Sequence, residues 1–156
     1  MADPTLVDVA RYRVLFADCD PMRIVYYGNY FRLFEIGRCE LFRRLGHPFR
    51  SYTERGLYLA VTATSCRYLR PARYDDEVVI QAGITSVGKV RVTIAYAVRL
   101  EAEVLVTGET EHVVLDDDGR PQRLPADVRA TILAAAPDAE RTLRRPARPP
   151  LSTRPG

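Results

Sequence analysis

Only one segment of this chain, residues 29–45, has both the length and the periodicity of a substantial helix, and nearly everything after residue 57 alternates like β-strand. At 100° per residue, Tyr30, Phe31, Phe34, Gly37, Leu41, Phe42 and Leu45 fall on one arc, so this helix has a broad apolar face to bury. Asn29 is placed to cap its start, and Gly46 stands just past its end. A short link with helical character reaches Tyr52, and then the period changes to two. Residues 57–70 form one β-rich run; Pro71 and Asp75-Asp76 mark a turn before 77–86. In 89–100, Val90, Val92, Ile94, Tyr96, Val98 and Leu100 alternate with smaller or polar neighbours, and 103–115 ends at Asp116-Asp117-Asp118-Gly119. Upstream of the helix, Tyr12, Val14 and Phe16 read as a strand and 17–25 as a loop; downstream, Ala126 to Ala136 reads as a last helix. Four strands joined by short turns favour antiparallel neighbours, because a parallel pair needs a longer crossover. One amphipathic helix against one antiparallel sheet is an α+β layer architecture. The sheet's other face and its edges then need cover, which favours self-association.

The chain's 156 residues suit one compact domain, expected over 1–137, followed by a flexible tail over 138–156 rich in proline and arginine. The tail holds five arginines against Asp138 and Glu140, which accounts for the whole net charge of +3. The body is therefore neutral, which argues against a nucleic-acid partner with its need for a basic face. No apolar stretch is long enough to span a membrane, and the first ten residues lack the pattern of a secretory signal. Three cysteines at unrelated spacings suggest neither a disulfide framework nor a zinc site, and the expected location is the cytoplasm.

Most catalytic signatures are missing: there is no G-x-S-x-G elbow, no phosphate-binding glycine loop and no H-E-x-x-H. His47 and His112 are the only histidines, and nothing has the spacing of a metal site, so no cofactor and no metal are expected. His47 reads as a local packing or capping residue, His112 has no assigned role, and the cysteines read as small buried residues. The segment that stands out is Phe16-Ala17-Asp18-Cys19-Asp20-Pro21-Met22-Arg23-Ile24-Val25-Tyr26-Tyr27-Gly28-Asn29-Tyr30. It sets two acids in a loop just before the start of the long helix, where unpaired N–H groups and a partial positive charge gather. Two readings follow from the residues alone. Asp18 and Asp20 cap turns, or one of them works with the helix start on a carbonyl group.

Continued by Phe31-Arg32-Leu33-Phe34-Glu35-Ile36-Gly37-Arg38, this segment closely resembles the opening motif of the 4-hydroxybenzoyl-CoA thioesterase family, including its YbgC-like acyl-CoA thioesterases. That motif is D-x-D, then V-x-Y, then a further tyrosine, with an acid and an arginine on the helix. Tyr68 to Val78 resembles the family's second landmark, and Val106-Thr107-Gly108 through Gly119-Arg120-Pro121 to Pro125 its closing strand and turn. The likeness spans about residues 10–135.

The resemblance implies a hotdog fold, a sheet wrapped around the long helix, forming homodimers or homotetramers. It implies an acyl-CoA substrate and hydrolysis of its thioester. Asp20 matches the family's catalytic carboxylate, as nucleophile or general base, and the Tyr27 backbone N–H matches the group that polarises the carbonyl. Where the YbgC-like branch has histidine this chain has Tyr27, as in the hydroxybenzoyl branch, which leans toward an aromatic acyl group. Tyr26, Tyr30 and Tyr58 are candidates to line the acyl pocket or simply core, and Lys89 to meet the CoA phosphates or simply to sit solvated at a hairpin end. Two alternatives stand beside this: release of acyl or polyketide chains from an acyl carrier protein, and an idle acyl-binding or assembly subunit. A hotdog dehydratase fits less well, because neither histidine matches its position. Arg38 lies within the helix's apolar arc, so it is expected to have a carboxylate or carbonyl partner, with Glu35 and Asp18 as candidates.

Overall fold

The computed structural model describes residues 6–143. Five strands, β1 (Val7–Arg13), β2 (Tyr58–Tyr68), β3 (Glu77–Val87), β4 (Arg91–Leu100) and β5 (Glu103–Leu115), form one sheet in the order β1-β3-β4-β5-β2. Every pairing is antiparallel. The long helix α1 (Asn29–Arg44) lies across β3, β1 and β4, with a short α2 (Phe49–Thr53) after it. A third helix, α3 (Ala126–Ala135), follows the last strand. The α+β layer order read from the sequence is therefore the one present. None of these helices is long and apolar enough to cross a membrane.

The two inner faces explain each other. On β5, Val106, Thr110, His112 and Val114 are buried on the side facing α1, two residues apart as a strand requires. From the helix, Tyr30, Leu33, Phe34, Gly37, Leu41 and Phe42 are buried. Phe34 stacks on Tyr96 of β4 with ring centroids 4.5 Å apart and planes 11° from parallel. Gly108 makes that stack fit: a Cβ there would stand 2.4 Å from the Phe34 ring and 2.7 Å from the Ser65 carbonyl. Gly46 closes α1 in the left-handed conformation at φ +80°, and the His47 N–H returns to the Phe42 carbonyl at 2.9 Å.

Three expectations need correction. The first strand occupies Val7–Arg13 rather than the stretch through Phe16. The chain leaves the sheet at Val14 because Val14 and the Asp75–Asp76 turn bond each other, and Phe16–Asp18 curls into a 3-10 turn. Asn29 does not cap α1: Gly28 holds the cap position, and the Asn29 side chain donates instead to the Asp18 carbonyl at 2.9 Å. Arg38 pairs with neither Glu35 nor Asp18. It is half-buried, and its guanidinium meets the phenol of Tyr96.

Packing also continues past the expected domain boundary at residue 137. Pro137–Leu143 forms a 3-10 helix against β3, Ala139 is buried, and Glu140 accepts a hydrogen bond from Arg129 at 2.7 Å. The rest of the expected tail, 144–156, lies outside the described residues.

Candidate active site

The loop between β1 and α1 is held by Asp18, whose side chain is only 7% exposed. One carboxylate oxygen accepts from the guanidinium of Arg32 on α1. The other accepts from the Tyr12 phenol of β1 at 2.7 Å and from the Leu15 N–H at 2.8 Å. Arg32 also donates to the Tyr12 phenol at 2.7 Å. The Asp18 carbonyl meanwhile accepts the Tyr26 N–H and the Asn29 side chain, both at 2.9 Å. Strand, loop and helix thus share one residue. A buried carboxylate is costly unless paired and hydrogen-bonded, and this one is both.

Two residues on, Asp20 opens a tight turn. Its N–H donates to Ile24 at 3.0 Å and its carbonyl accepts from Arg23 at 2.8 Å. Arg23 takes a positive φ of 63° at the tip. Asp20 Oδ1 accepts the Met22 N–H at 2.8 Å, while Oδ2 has no partner among the described residues. The turn is anchored on its far side, where Ile24 bridges to Arg73 and the Val25 N–H reaches the Ala72 carbonyl at 2.9 Å. One carboxylate oxygen is fixed and the other is available.

The helix start supplies the complementary half. The Tyr26 N–H is taken by Asp18, the Asn29 N–H by Tyr26, and the Phe31 N–H by Gly28. The N–H groups of Tyr27 and Gly28 have no acceptor among the described residues. They lie at the positive end of the α1 dipole. Asp20 and Tyr27 line one concavity of about 280 Å³, together with Ile24, Tyr30, Tyr68 and Arg70. A carboxylate and free backbone donors around one space can attack a carbonyl and stabilise the oxyanion that forms. A larger concavity of about 490 Å³ spreads over Ser65, Arg67, Ala95 and Thr107, and no carboxylate lines it.

Of the residues singled out from the sequence, Asp20, Tyr27 and Tyr30 meet here. Tyr30 is buried and its phenol accepts the Ala72 N–H at 3.3 Å, so it is a wall more than a reactive group. Tyr26 stacks obliquely on Tyr27 at 4.5 Å. Tyr58 and Lys89 lie elsewhere. Tyr58 begins β2, whose other end, Tyr68, touches Tyr27, so ten residues of strand put it roughly 33 Å away. Lys89 sits in the turn beyond Val87, at the far end of β3 from the Asp18 loop. The sequence reading missed Arg32, Tyr12, Tyr68 and Arg70 as members of this site. Tyr68 and Arg70 stand in the motif-like stretch before Pro71, which was the available signal. Nothing local pointed to Tyr12.

Known proteins bear on this arrangement. Residues 14–132 match the family model of the thioesterase-like superfamily. An Escherichia coli O157:H7 protein named acyl-CoA thioester hydrolase YbgC is 27% identical over 119 residues, covering 74% of this chain and 88% of that protein. A hypothetical protein from Aquifex aeolicus, 28% identical, superposes with a TM-score of 0.76 over 83% of this chain and 99% of its own. A 4-hydroxybenzoyl-CoA thioesterase variant solved with 4-hydroxybenzoyl-CoA superposes at 0.73 over 82% and 99%; at 22% identity that likeness concerns the fold. The sheet, its wrapped helix and these neighbours make the fold a hotdog. With three-quarters of its length matched by the family model, this chain belongs to the thioesterase-like superfamily.

Proposed function

We propose that the protein hydrolyses acyl-CoA thioesters at the concavity between Asp20 and the start of α1. The observation that carries this is the pairing of Asp20, with one free carboxylate oxygen, and the unclaimed Tyr27 N–H on a single small space. The thioester oxygen is held by the Tyr27 N–H. Asp20 either takes a proton from water as that water attacks the carbonyl carbon, or attacks the carbon itself to form an anhydride that water then opens. In both routes the C–S bond breaks, the thiolate leaves and is protonated, and the acid is released. Tyr27 in place of histidine and the aromatic walls favour an aromatic acyl group.

The working unit is a homodimer or homotetramer. Among the described residues the outer edge of β2 is unpaired, and this strand carries Tyr58, Val61 and Tyr68, all more than 40% exposed. Full antiparallel overlap of two copies of this strand sets the Tyr58 end of one beside the Tyr68 end of the other. That places Tyr58 against an acyl group in the neighbouring site, and it carries the Lys89 end of the sheet toward the same side for CoA phosphates.

The test is Asp20→Asn, assayed on aromatic, short-chain and long-chain acyl-CoAs and on acyl carrier protein thioesters. Turnover should fall at least about a hundredfold while the protein stays folded. Near-normal hydrolysis by the variant would remove Asp20 from the mechanism. Turnover of carrier thioesters alone would favour the acyl-carrier reading, and no turnover by the wild type would favour an idle binding subunit.

A further inference from the structure

We propose that Tyr68 is a positioning residue for this reaction: its phenol orients the Tyr27–Gly28 peptide so that the Gly28 N–H joins the Tyr27 N–H as a second donor to the thioester oxygen. The proposal rests on the Asp20 reading above and extends it to two groups outside the opening motif's acid and tyrosine.

The geometry is specific. The Tyr68 Oη donates to the Tyr27 carbonyl at 3.0 Å. Among the described residues the only other donor to that carbonyl is the Tyr30 N–H at 3.5 Å, a stretched contact at the first turn of α1. The helix therefore holds this peptide loosely, and the phenol holds it firmly. Because the peptide unit is planar, fixing the Tyr27 oxygen also fixes the Gly28 N–H on its opposite side. A hydrogen bond accepted by the carbonyl polarises the same unit and strengthens its N–H as a donor.

Tyr68 can impose this because it is itself held. It pairs with Val106 across β5, and the next N–H, at Leu69, donates to the Leu105 carbonyl at 2.8 Å. Its ring stands edge-on to Tyr27 and Tyr30, with centroids 6.4 and 5.6 Å away. Gly28 has φ −67°, a value any residue adopts, so backbone freedom is not what glycine supplies. A Cβ there would press on the Tyr26 ring at 3.0 Å. Burial among its neighbours raises the Tyr68 phenol above its ordinary range, so it stays protonated and acts as a donor throughout the working range of pH. No proton leaves Tyr68 during the reaction.

Tyr68→Phe keeps the ring packing and removes only the donor. The expected result is a fall in kcat of about tenfold, with KM, melting temperature and the shape of the pH profile unchanged. A second readout separates orientation from general loosening. In the Asp20→Asn background, bound benzoyl-CoA labelled with ¹³C at the carbonyl should show a lowered carbonyl stretch. Octanoyl-CoA serves instead if only aliphatic thioesters are turned over. Adding Tyr68→Phe should return part of that shift. An unchanged kcat, or a carbonyl band indifferent to the Tyr68 phenol, overturns the inference. If Asp20→Asn alone retains turnover, the reading beneath it fails as well, so the two failures are told apart.

Discussion

Acidification should destabilise this protein through His112, a residue outside the proposed site. His112 is 1% exposed, facing α1 from β5, and its Nε2 lies 2.7 Å from Thr110 Oγ1, which lies 2.7 Å from the Tyr96 phenol. Burial, and next the nearby Arg38 guanidinium, lower its pKa from 6.5 to about 4, offset in part by the Leu59 carbonyl. The folded protein thus keeps the imidazole neutral where the unfolded chain binds a proton. The unfolded state is favoured as pH drops below 6.5, and the effect grows until about 4, where the folded form titrates too. Between pH 7 and pH 5 this amounts to about 2 kcal/mol, at about 1.4 kcal/mol per pH unit. Urea unfolding at both pH values, at one protein concentration, measures it. His112→Gln stays neutral throughout, so its stability should fall less over that interval, by about 2 kcal/mol. His47 and the carboxylates remain in both proteins and cancel. Equal pH dependence in the two proteins would refute the assignment.

Two further outcomes follow from packing. Gly108→Ala drives a methyl into the Phe34 ring and should cost about 3 kcal/mol, read as a drop in melting temperature, with Phe34→Leu in the same chain restoring part of it. Truncation after Leu143 should leave the melting temperature unchanged, whereas truncation after Ala136 should cost about 1–2 kcal/mol by exposing the surface that Ala139 covers.

The parts of the fold legible in the sequence were those with strong periodicity and clear punctuation. Residues 103–115 alternate cleanly and end at a turn with a glycine, and the strand has those bounds. Helix α1 runs to Arg44 with Gly46 just beyond it, because its apolar arc and its stop signal agree. The first strand was misplaced because Val14 and Phe16 continue its alternation, while a long-range bond to Asp76 and the Asp18 carboxylate at Leu15 take the chain out of the sheet. The first bond has no local signature; the second is a local acid cap, outweighed in the reading by the alternation that Val14 and Phe16 continue. The same limit applies to the site. Asp20 and Tyr27 were read from a motif, and Tyr68 stood in a second motif-like stretch without being read as part of the site, whereas Tyr12 comes to it only through the strand that carries it. Arg38 was expected to find a carboxylate or a carbonyl, but Arg32 engages Asp18, and a phenol on β4 serves instead.

The Asp18 hub also bears on how the chain folds. Its side-chain bonds join residues 3 to 14 positions apart, whereas the Val14–Asp76 bond that seats the loop on the sheet closes 62 residues. Loop closure scales as (3/2)RT ln n, so the longer closure costs about 1.3 kcal/mol more than the 14-residue one. The hub is therefore the cheaper nucleus, able to gather strand, loop and helix start before the sheet closes around them. A carboxylate kept next to the chemistry would then speed folding as well as hold the loop, and its loss would be felt in the refolding rate as well as in turnover.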